Sequence, residues 1–190
     1  MSGTLQRALA EHGEAVSALA ALAPDLDALA GRAIATLRAG GKLLLLGNGG
    51  SAALCQHVAT ELVARFRRDR PALAAIALTA DSTLLTAVAN DSSFDRVFSR
   101  QVEALARPGD LVLAASTSGE SENVVRGVQA ARAQGCVTAA LLGATGGRVR
   151  ALVDIAIVVP AHRTDRIQEL HLLLAHCLCD EIERAFADGE

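Results

Sequence analysis

The chain has 190 residues, of which 51% are apolar and only 2% aromatic, and its formal net charge is −3. This length suits one domain with a sizeable core, and the apolar fraction argues against a disordered chain. The charge gives no reason to expect nucleic-acid binding, and no apolar run approaches the roughly 18 residues of a membrane span. Because the first residues, MSGTLQRALAEHGEAV, carry charges where a signal peptide is apolar, a cytoplasmic location is predicted.

In chain order, apolar residues first recur with helical spacing from Leu5 to Leu37, which predicts two helices broken near Pro24. Short apolar runs then alternate with longer helical stretches. The predicted strands are Lys42–Leu46, Leu73–Leu78, Leu111–Ala115, Val137–Leu141 and Ile155–Val159. The predicted helices between them are Ser51–Arg67, Ser82–Ala89, Phe94–Ala106 and Ser121–Gln134, and a last helix runs from about Asp165 to Phe186.

This alternation predicts a single α/β domain with a mainly parallel sheet. Its parts are N-terminal helices over residues 1–39, an α/β core over 40–160 and a C-terminal helix over 161–190. The four cysteines, Cys55, Cys136, Cys177 and Cys179, form no CxxC pair and are expected to be reduced core residues. Because ligands bind beyond the carboxyl ends of parallel strands, the loops after Leu46 and Ala115 are the candidate binding loops.

Both candidate loops suit a phosphate. The segment GNGGS, Gly47 to Ser51, opens a helix, so backbone N–H groups and the helix N-terminus would face an anion there; a tight strand–helix turn explains it equally well. The segment STSGES, Ser116 to Ser121, has four hydroxyls around one glycine, more than an N-cap needs, which favours phosphate binding over capping. Ser82 and Thr83 are interpreted as a helix cap.

A second pattern joins two helices. His57 and Glu61 are four residues apart and share a helix face, and Gln168 and His176 interrupt an apolar face of the last helix. A carboxylate beside a carbonyl could move the proton of a sugar-phosphate isomerisation, with a second acid–base group returning it. Two imidazoles with a carboxylate also suit zinc. The remaining histidines are assigned to ordinary surface or core positions: His12, His162 and His171.

The stretches GNGGSAA..QH..TEL..RF, AVANDSSFDRVFSRQVEAL, STSGESENVV and RIQELHLLLAHCLCD resemble the sugar isomerase (SIS) domain family, in particular its phosphoheptose isomerases. The resemblance covers about Gly41 to the C-terminal helix. It implies a five-stranded parallel sheet flanked by helices, and a homotetramer with active sites between subunits. The chain departs from the family pattern at Leu54 and Cys55, where the family usually has a polar residue and an alanine.

The resemblance also implies residue roles. Glu61 would be the general base and His176 its acid–base partner, and zinc would be held by His57, Glu61, Gln168 and His176. Substrate would contact Asn48, Gly49, Gly50, Ser51, Glu61, Asn90, Asp91, Ser116, Thr117, Ser118, Ser121 and Gln168. The implied reaction converts sedoheptulose 7-phosphate to D-glycero-D-manno-heptose 7-phosphate through an enediol, for lipopolysaccharide core synthesis.

Two alternatives remain. The stretches LTAVAND, RQVEAL, HRTDRIQELH and HCLCDEIE also resemble the DnaA initiator-associating protein, a non-catalytic relative that would have the DnaA initiator as its partner. That relative lacks the groups matching Glu61 and His176. A different SIS-domain substrate, such as an aminated sugar phosphate, is the other alternative. The run RFRRDR, Arg65 to Arg70, could attract an anion, although a solvated helix end is the commoner meaning.

Overall fold

The computed structural model describes residues 3–187 and has five parallel strands between two layers of helices. The strands are β1 (Leu43–Gly47), β2 (Ala75–Ala77), β3 (Leu111–Ser116), β4 (Val137–Leu142) and β5 (Ile155–Val158). The helices are α1 (Gly3–Ala18), α2 (Ala23–Arg38), α3 (Gly50–Val63), α4 (Ser82–Asp91), α5 (Ser99–Leu105), α6 (Glu122–Ala133), α7 (Gly147–Arg150) and α8 (Thr164–Phe186). The predicted α/β fold with an N-terminal helical region is therefore confirmed, and the predictions for residues 1–2 and 188–190 lie outside the described part.

The sheet has the order β2-β1-β3-β4-β5, and every pairing is parallel. Its central strands are buried on both faces because alternate side chains enter two separate cores. Leu43 and Leu45 of β1 face a core shared with α1, α2, α3 and α8, whereas Leu44 and Leu46 face a core shared with α5, α6 and α7. This explains why the strand reads as a continuous apolar run.

Three predicted elements differ from the structure. The strand predicted at Leu73–Leu78 is reduced to β2, an edge strand that pairs with β1 alone. The helix predicted at Phe94–Ala106 is a 3₁₀ turn, Phe94–Arg96, followed by α5, because the consecutive residues Val97 and Phe98 are both buried between them. The helix predicted at Ser51–Arg67 ends four residues early, at Val63.

The cap of α4 was also assigned to the wrong residue. Asp81, not Ser82 or Thr83, precedes the helix, and its carboxylate accepts the N–H of Leu84 at 2.9 Å. The short helix α7 was not predicted. None of the helices within residues 3–187 combines the length and apolar character that crossing a bilayer requires.

The four cysteines are free, and all except Cys177 are buried. Burial raises the pKa of the Cys55 thiol to about 12 and is the main cause of a similar pKa at Cys179. Both thiols are therefore protonated at neutral pH, so these residues act as small apolar core side chains, as predicted.

His171 is fully buried, and its Nε2 lies 3.0 Å from the carbonyl oxygen of Leu142 while its Nδ1 has no partner. Burial lowers the pKa of His171, so the unfolded chain binds a proton more readily than the folded chain below about pH 6.5. We expect stability to fall on acidification below that pH by up to about 1.4 kcal/mol per pH unit.

The variant His171→Gln keeps a donor for Leu142 but cannot titrate, so its urea unfolding free energy should lose this dependence between pH 6.5 and 5. The matched variant His162→Gln removes an exposed imidazole, and its stability should depend on pH as in the wild-type protein. An unchanged pH slope in His171→Gln would show that His171 does not cause the effect.

Candidate active site

The sheet order creates a crevice between β1 and β3. From β1 the chain crosses to β2 on one side, whereas β3 leads to β4 and β5 on the other, so the loops after β1 and β3 diverge. Such a switch point is where open α/β sheets bind ligands. Gly47 pairs with Ala115, so the two candidate phosphate loops begin side by side.

The glycine corner after β1 forms the N-terminus of α3. Gly49 has φ of +55°, a conformation that glycine adopts without strain. The carbonyl oxygen of Asn48 accepts the N–H groups of Ser51 and Ala52, which starts a helix of 14 residues. Ser51 is buried and Gly49 and Gly50 are exposed, so the corner presents backbone to solvent at the positive end of a helix dipole.

A reciprocal amide pair joins this corner to the second loop. Asn48 Nδ2 donates to Asn123 Oδ1, and Asn123 Nδ2 donates to Asn48 Oδ1, both at 2.8 Å. Asn123 is only 3% exposed and lies in the first turn of α6, just after STSGES. The sequence analysis missed Asn123. The available signals were its position two residues after Ser121 and its place within the quoted stretch STSGESENVV.

The hydroxyls of the second loop divide into two groups. Ser116 Oγ accepts the N–H of Gly119 at 3.0 Å, and Ser118 Oγ accepts that of Glu120 at 3.2 Å, so these two shape the loop. Ser121 precedes α6 but makes no side-chain capping bond. Thr117 and Ser121 are half-buried. Capping therefore does not account for the Ser121 hydroxyl.

A cleft of about 650 Å³ lies between α3 and α8. It brings together four predicted site residues from distant parts of the chain: Gly50, His57, Gln168 and His176. Gly50 is in direct contact with Gln168, since a Cβ atom built on Gly50 would lie 2.6 Å from Gln168 Nε2. The absence of a side chain at Gly50 thus allows α8 to approach the glycine corner.

The two imidazoles and the carboxylate form a chain. His57 Nε2 lies 2.8 Å from His176 Nε2, so one of the two nitrogens carries a hydrogen and donates a hydrogen bond to the other. His57 Nδ1 lies 3.5 Å from Glu61 Oε1. Glu61 is mostly buried and does not line the cleft, whereas His57 and His176 do. The arrangement can pass a proton between a carboxylate and the cleft through imidazole.

The cleft includes residues that were not predicted as site residues. From α8 these are Asp165, Glu169 and Leu172, and α3 contributes Ala53 and Leu54. Asp165 lies three residues before Gln168 and four before Glu169, so helical spacing could have identified Asp165 beside Gln168 and Glu169 beside Asp165. Hydrogen bonds from Arg163, and then from Arg166, lower the pKa of Asp165 to about 2. The Oε2 atom of Glu169 lies 2.8 Å from Nδ1 of His12 on α1 and 2.9 Å from Nη1 of Arg166, and it accepts hydrogen bonds from both.

Asn90 and Asp91 lie elsewhere in this single chain. They are exposed at the end of α4, where Asn90 Nδ2 donates to Asp91 Oδ1 at 2.8 Å. Asp91 lines a separate depression of about 380 Å³ with Arg96 and Arg100. Neither residue lines the cleft between α3 and α8. Their predicted contact with substrate stays a prediction.

Gly47, at the end of β1, is tightly packed against residues next to both candidate phosphate loops. A Cβ atom there would lie 2.7 Å from the carbonyl oxygen of Ala115 and 3.0 Å from Ser51 Cβ. We expect Gly47→Ala to cost about 1–3 kcal/mol by overpacking and to lower activity by displacing both loops. The control Gly31→Ala meets no atom within 4 Å on the exposed face of α2, and helix propensity should stabilise it by about 0.5–1 kcal/mol. Urea unfolding measures the stability of both variants, and equal stabilities of Gly47→Ala and Gly31→Ala would contradict the overpacking expected at Gly47.

Comparisons with known proteins agree with this architecture. A SIS domain family model matches residues 9–143. The phosphoheptose isomerase of Roseiflexus sp. is 54% identical over 162 residues, covering 85% of this chain and 82% of the relative. That of Paramagnetospirillum magneticum is 47% identical and covers 96% of each chain. The solved phosphoheptose isomerase of Neisseria gonorrhoeae superimposes with a TM-score of 0.91 at 41% identity, covering 96% of this chain and 98% of that one.

The fold and the crevice define a SIS-domain protein of the sugar-phosphate isomerase class. The identities over most of both chains are specific enough to go further. This chain belongs to the phosphoheptose isomerase family. The non-catalytic alternative is not favoured.

Proposed function

We propose that this protein converts sedoheptulose 7-phosphate to D-glycero-D-manno-heptose 7-phosphate. The observation that supports this best is the chain Glu61–His57–His176, in which two imidazoles line the cleft beside the glycine corner and a carboxylate contacts one of them from outside the cleft. An aldose–ketose isomerase needs this combination of a base and an acid–base partner.

In the proposed reaction, the loops Asn48–Ser51 and Ser116–Ser121 bind the phosphate and the chain hydroxyls. Glu61, which lies behind His57 in this structure, would turn toward the cleft, remove a proton from the first carbon of the open-chain ketose, next to the carbonyl, and give an enediol. His176 returns a proton to the second carbon or moves the hydroxyl proton, so the carbonyl shifts to the first carbon. No atom is gained or lost. Gln168, which lines the same cleft, would contact the substrate.

We also propose that the site binds zinc through His57, Glu61, Gln168 and His176. The donor types suit the metal, and the adjacent Nε2 atoms of the two histidines could share one ion. The carboxylate of Glu61 does not face these Nε2 atoms but lies against the Nδ1 of His57. Within residues 3–187, no three His, Cys, Asp or Glu side chains are grouped closely enough to hold a metal ion. Glu61 would have to turn to complete the set. When bound, the ion would polarise the carbonyl and stabilise the enediolate.

The test is turnover of sedoheptulose 7-phosphate by the purified protein, with and without a chelator. Turnover that falls with the chelator and returns with zinc supports both proposals. Turnover indifferent to the chelator keeps the isomerase and rejects a functional metal. No turnover from folded protein rejects the isomerase and favours binding to the DnaA initiator, which a pull-down with purified initiator would then examine.

We also propose a homotetramer in the cytoplasm, as the resemblance implies, with Asn90 and Asp91 reaching a neighbouring subunit's site. Exposed apolar side chains, among them Leu5, Leu9 and Ile76, are available for such contacts. Sedimentation equilibrium measures the assembly. A monomeric protein with full activity would reject both the tetramer and the shared site.

A further inference from the structure

The run Arg65 to Arg70 is not the solvated helix end that its charges predict. Helix α3 stops at Val63, and the following residues 64–72, here called the arginine loop, fold back against α8. Arg68 pairs with Asp180 at 2.9 Å, and the side chain of Arg70 is fully buried. A basic segment that buries a guanidinium has a structural or functional task beyond solubility.

Arg70 holds the loop to the end of α3. Its Nη1 donates to the carbonyl oxygens of Leu62 at 2.7 Å and Pro71 at 3.0 Å, and its Nη2 donates to that of Glu61 at 2.6 Å. The carbonyls of a last helical turn have no partner within the helix, so the guanidinium replaces the missing N–H donors. Arg70 thereby fixes the backbone of Glu61.

Glu183 holds the same loop from the side of α8. This fully buried carboxylate accepts three consecutive backbone N–H groups, from Phe66 at 2.8 Å, Arg67 at 2.7 Å and Arg68 at 2.9 Å. Burial alone would raise the pKa of Glu183, but these N–H donors and the Arg70 guanidinium, whose Nε is 3.6 Å away, keep it below the ordinary value. The group is therefore ionised at neutral pH and binds the loop as an anion.

The loop bound in this way carries Phe66 onto His176. The two rings are stacked, with centroids 5.6 Å apart and planes 26° from parallel. His57 meets the same imidazole edge-on, with centroids 5.1 Å apart at 75°. The ring torsion of a histidine is otherwise soft, so a flat neighbour limits its rotation. His176 and Glu183 are seven residues apart, two turns of α8, and so lie on the same helix face.

We propose that Phe66 and Glu183 are positioning residues: Glu183 fixes the backbone at Phe66, and the Phe66 ring holds His176 with its Nε2 directed at His57. This inference rests on the proposed function, since it assigns His176 an orientation that the isomerisation uses. Neither residue touches the cleft, and both act through His176.

The first test is kinetic. Phe66→Leu keeps an apolar side chain but removes the flat face, so kcat should fall about tenfold to a hundredfold with KM nearly unchanged, the effect of misplacing a catalytic group by about 1 Å. Phe66→Tyr keeps the face and should retain activity. Phe94→Leu is the matched control, because Phe94 is exposed outside the cleft. Wild-type kcat in Phe66→Leu would overturn the proposal.

The second test asks whether Glu183 acts through Phe66. Glu183→Gln should lower kcat, and adding it to Phe66→Leu should lower kcat no further, because coupled residues are not additive. Glu181→Gln, an exposed change on the same helix, should leave kcat unchanged. Independent, multiplying effects in the double variant would overturn the connection between the two residues.

A third readout does not depend on activity. In protein labelled at histidine, the stacked Phe66 ring should shift the His176 ring protons upfield in the NMR spectrum. The shift should be lost in Phe66→Leu, kept in Phe66→Tyr and reduced in Glu183→Gln. If the wild-type protein showed no isomerase activity but the shift followed this order, the proposed function would fail and the positioning of His176 would stand. An unchanged shift in Phe66→Leu would reject the positioning.

Discussion

Replacing Glu61 by Gln is expected to lower kcat for sedoheptulose 7-phosphate by about a hundredfold to ten-thousandfold, the usual contribution of general acid–base catalysis. The amide keeps the size of the side chain but cannot take a proton. The backbone at Glu61 is held by Arg70, so the fold and the phosphate loops should be preserved. Steady-state kinetics measure the loss of kcat, and urea unfolding should show a loss of stability of about 1 kcal/mol or less, the typical effect of a single substitution.

The matched control is Glu14→Gln, an exposed position on α1 that should leave kcat unchanged. Binding of inorganic phosphate should be equal in wild type and Glu61→Gln if the anion binds at the loops after β1 and β3. A Glu61→Gln enzyme with near-normal kcat would reject Glu61 as the base.

The sheet could be predicted because its signal is local. Each central strand is buried on both faces, so residues such as Leu43–Leu46 form an uninterrupted apolar run between glycine-rich turns. The edge strand was predicted too long because its ends remain apolar and buried, at Leu73 and Leu78, although only Ala75–Ala77 pairs with β1. A pattern of buried apolar residues therefore overestimates the length of a strand at the edge of a sheet.

The residues that α3 and α8 each contribute to the candidate site could be predicted from the sequence. The spacing of His57 and Glu61 on one helix, and of Gln168 and His176 on another, identifies two polar faces. That α3 and α8 pack together to form one cleft is a long-range contact that no local pattern contains. The chemistry of a sugar-phosphate isomerisation was the reason to combine the two pairs, and the resemblance to the family strengthened that connection. The pairing of Asn48 with Asn123 is equally long-range, which explains why Asn123 was missed.

The arginine loop was misinterpreted for a related reason. Arg65 to Arg70 has the composition of a helix end in water, and only the buried acid on α8 reverses that meaning. Helix α3 ends where the N–H donors of residues 66–68 turn to Glu183 and the guanidinium of Arg70 reaches the carbonyls of Glu61 and Leu62. A charge run in sequence does not reveal a buried partner more than a hundred residues away.

Replacing Arg70 by Met should destabilise the protein by about 3–5 kcal/mol, the cost of leaving one member of a buried ion pair without its partner. Met fills much of the aliphatic volume of Arg70, but it removes hydrogen-bond donors from the carbonyls of Glu61, Leu62 and Pro71 and takes away the guanidinium nearest to Glu183. The unfolding free energy from urea titration measures the loss. Arg32→Met, at an exposed position on α2, should stay within about 0.5 kcal/mol of wild type.

The double variant Arg70→Met/Glu183→Gln separates charge from capping. If the unpaired negative charge of Glu183 accounts for much of the loss, neutralising it should recover part of the stability, so the double variant should be more stable than the sum of the two single changes predicts. Strict additivity would mean that Arg70 stabilises the fold only by capping α3, and that the 3.6 Å contact with Glu183 contributes nothing. A loss below about 1 kcal/mol for Arg70→Met would contradict the burial of the guanidinium itself, since ordinary surface pairs contribute about that much.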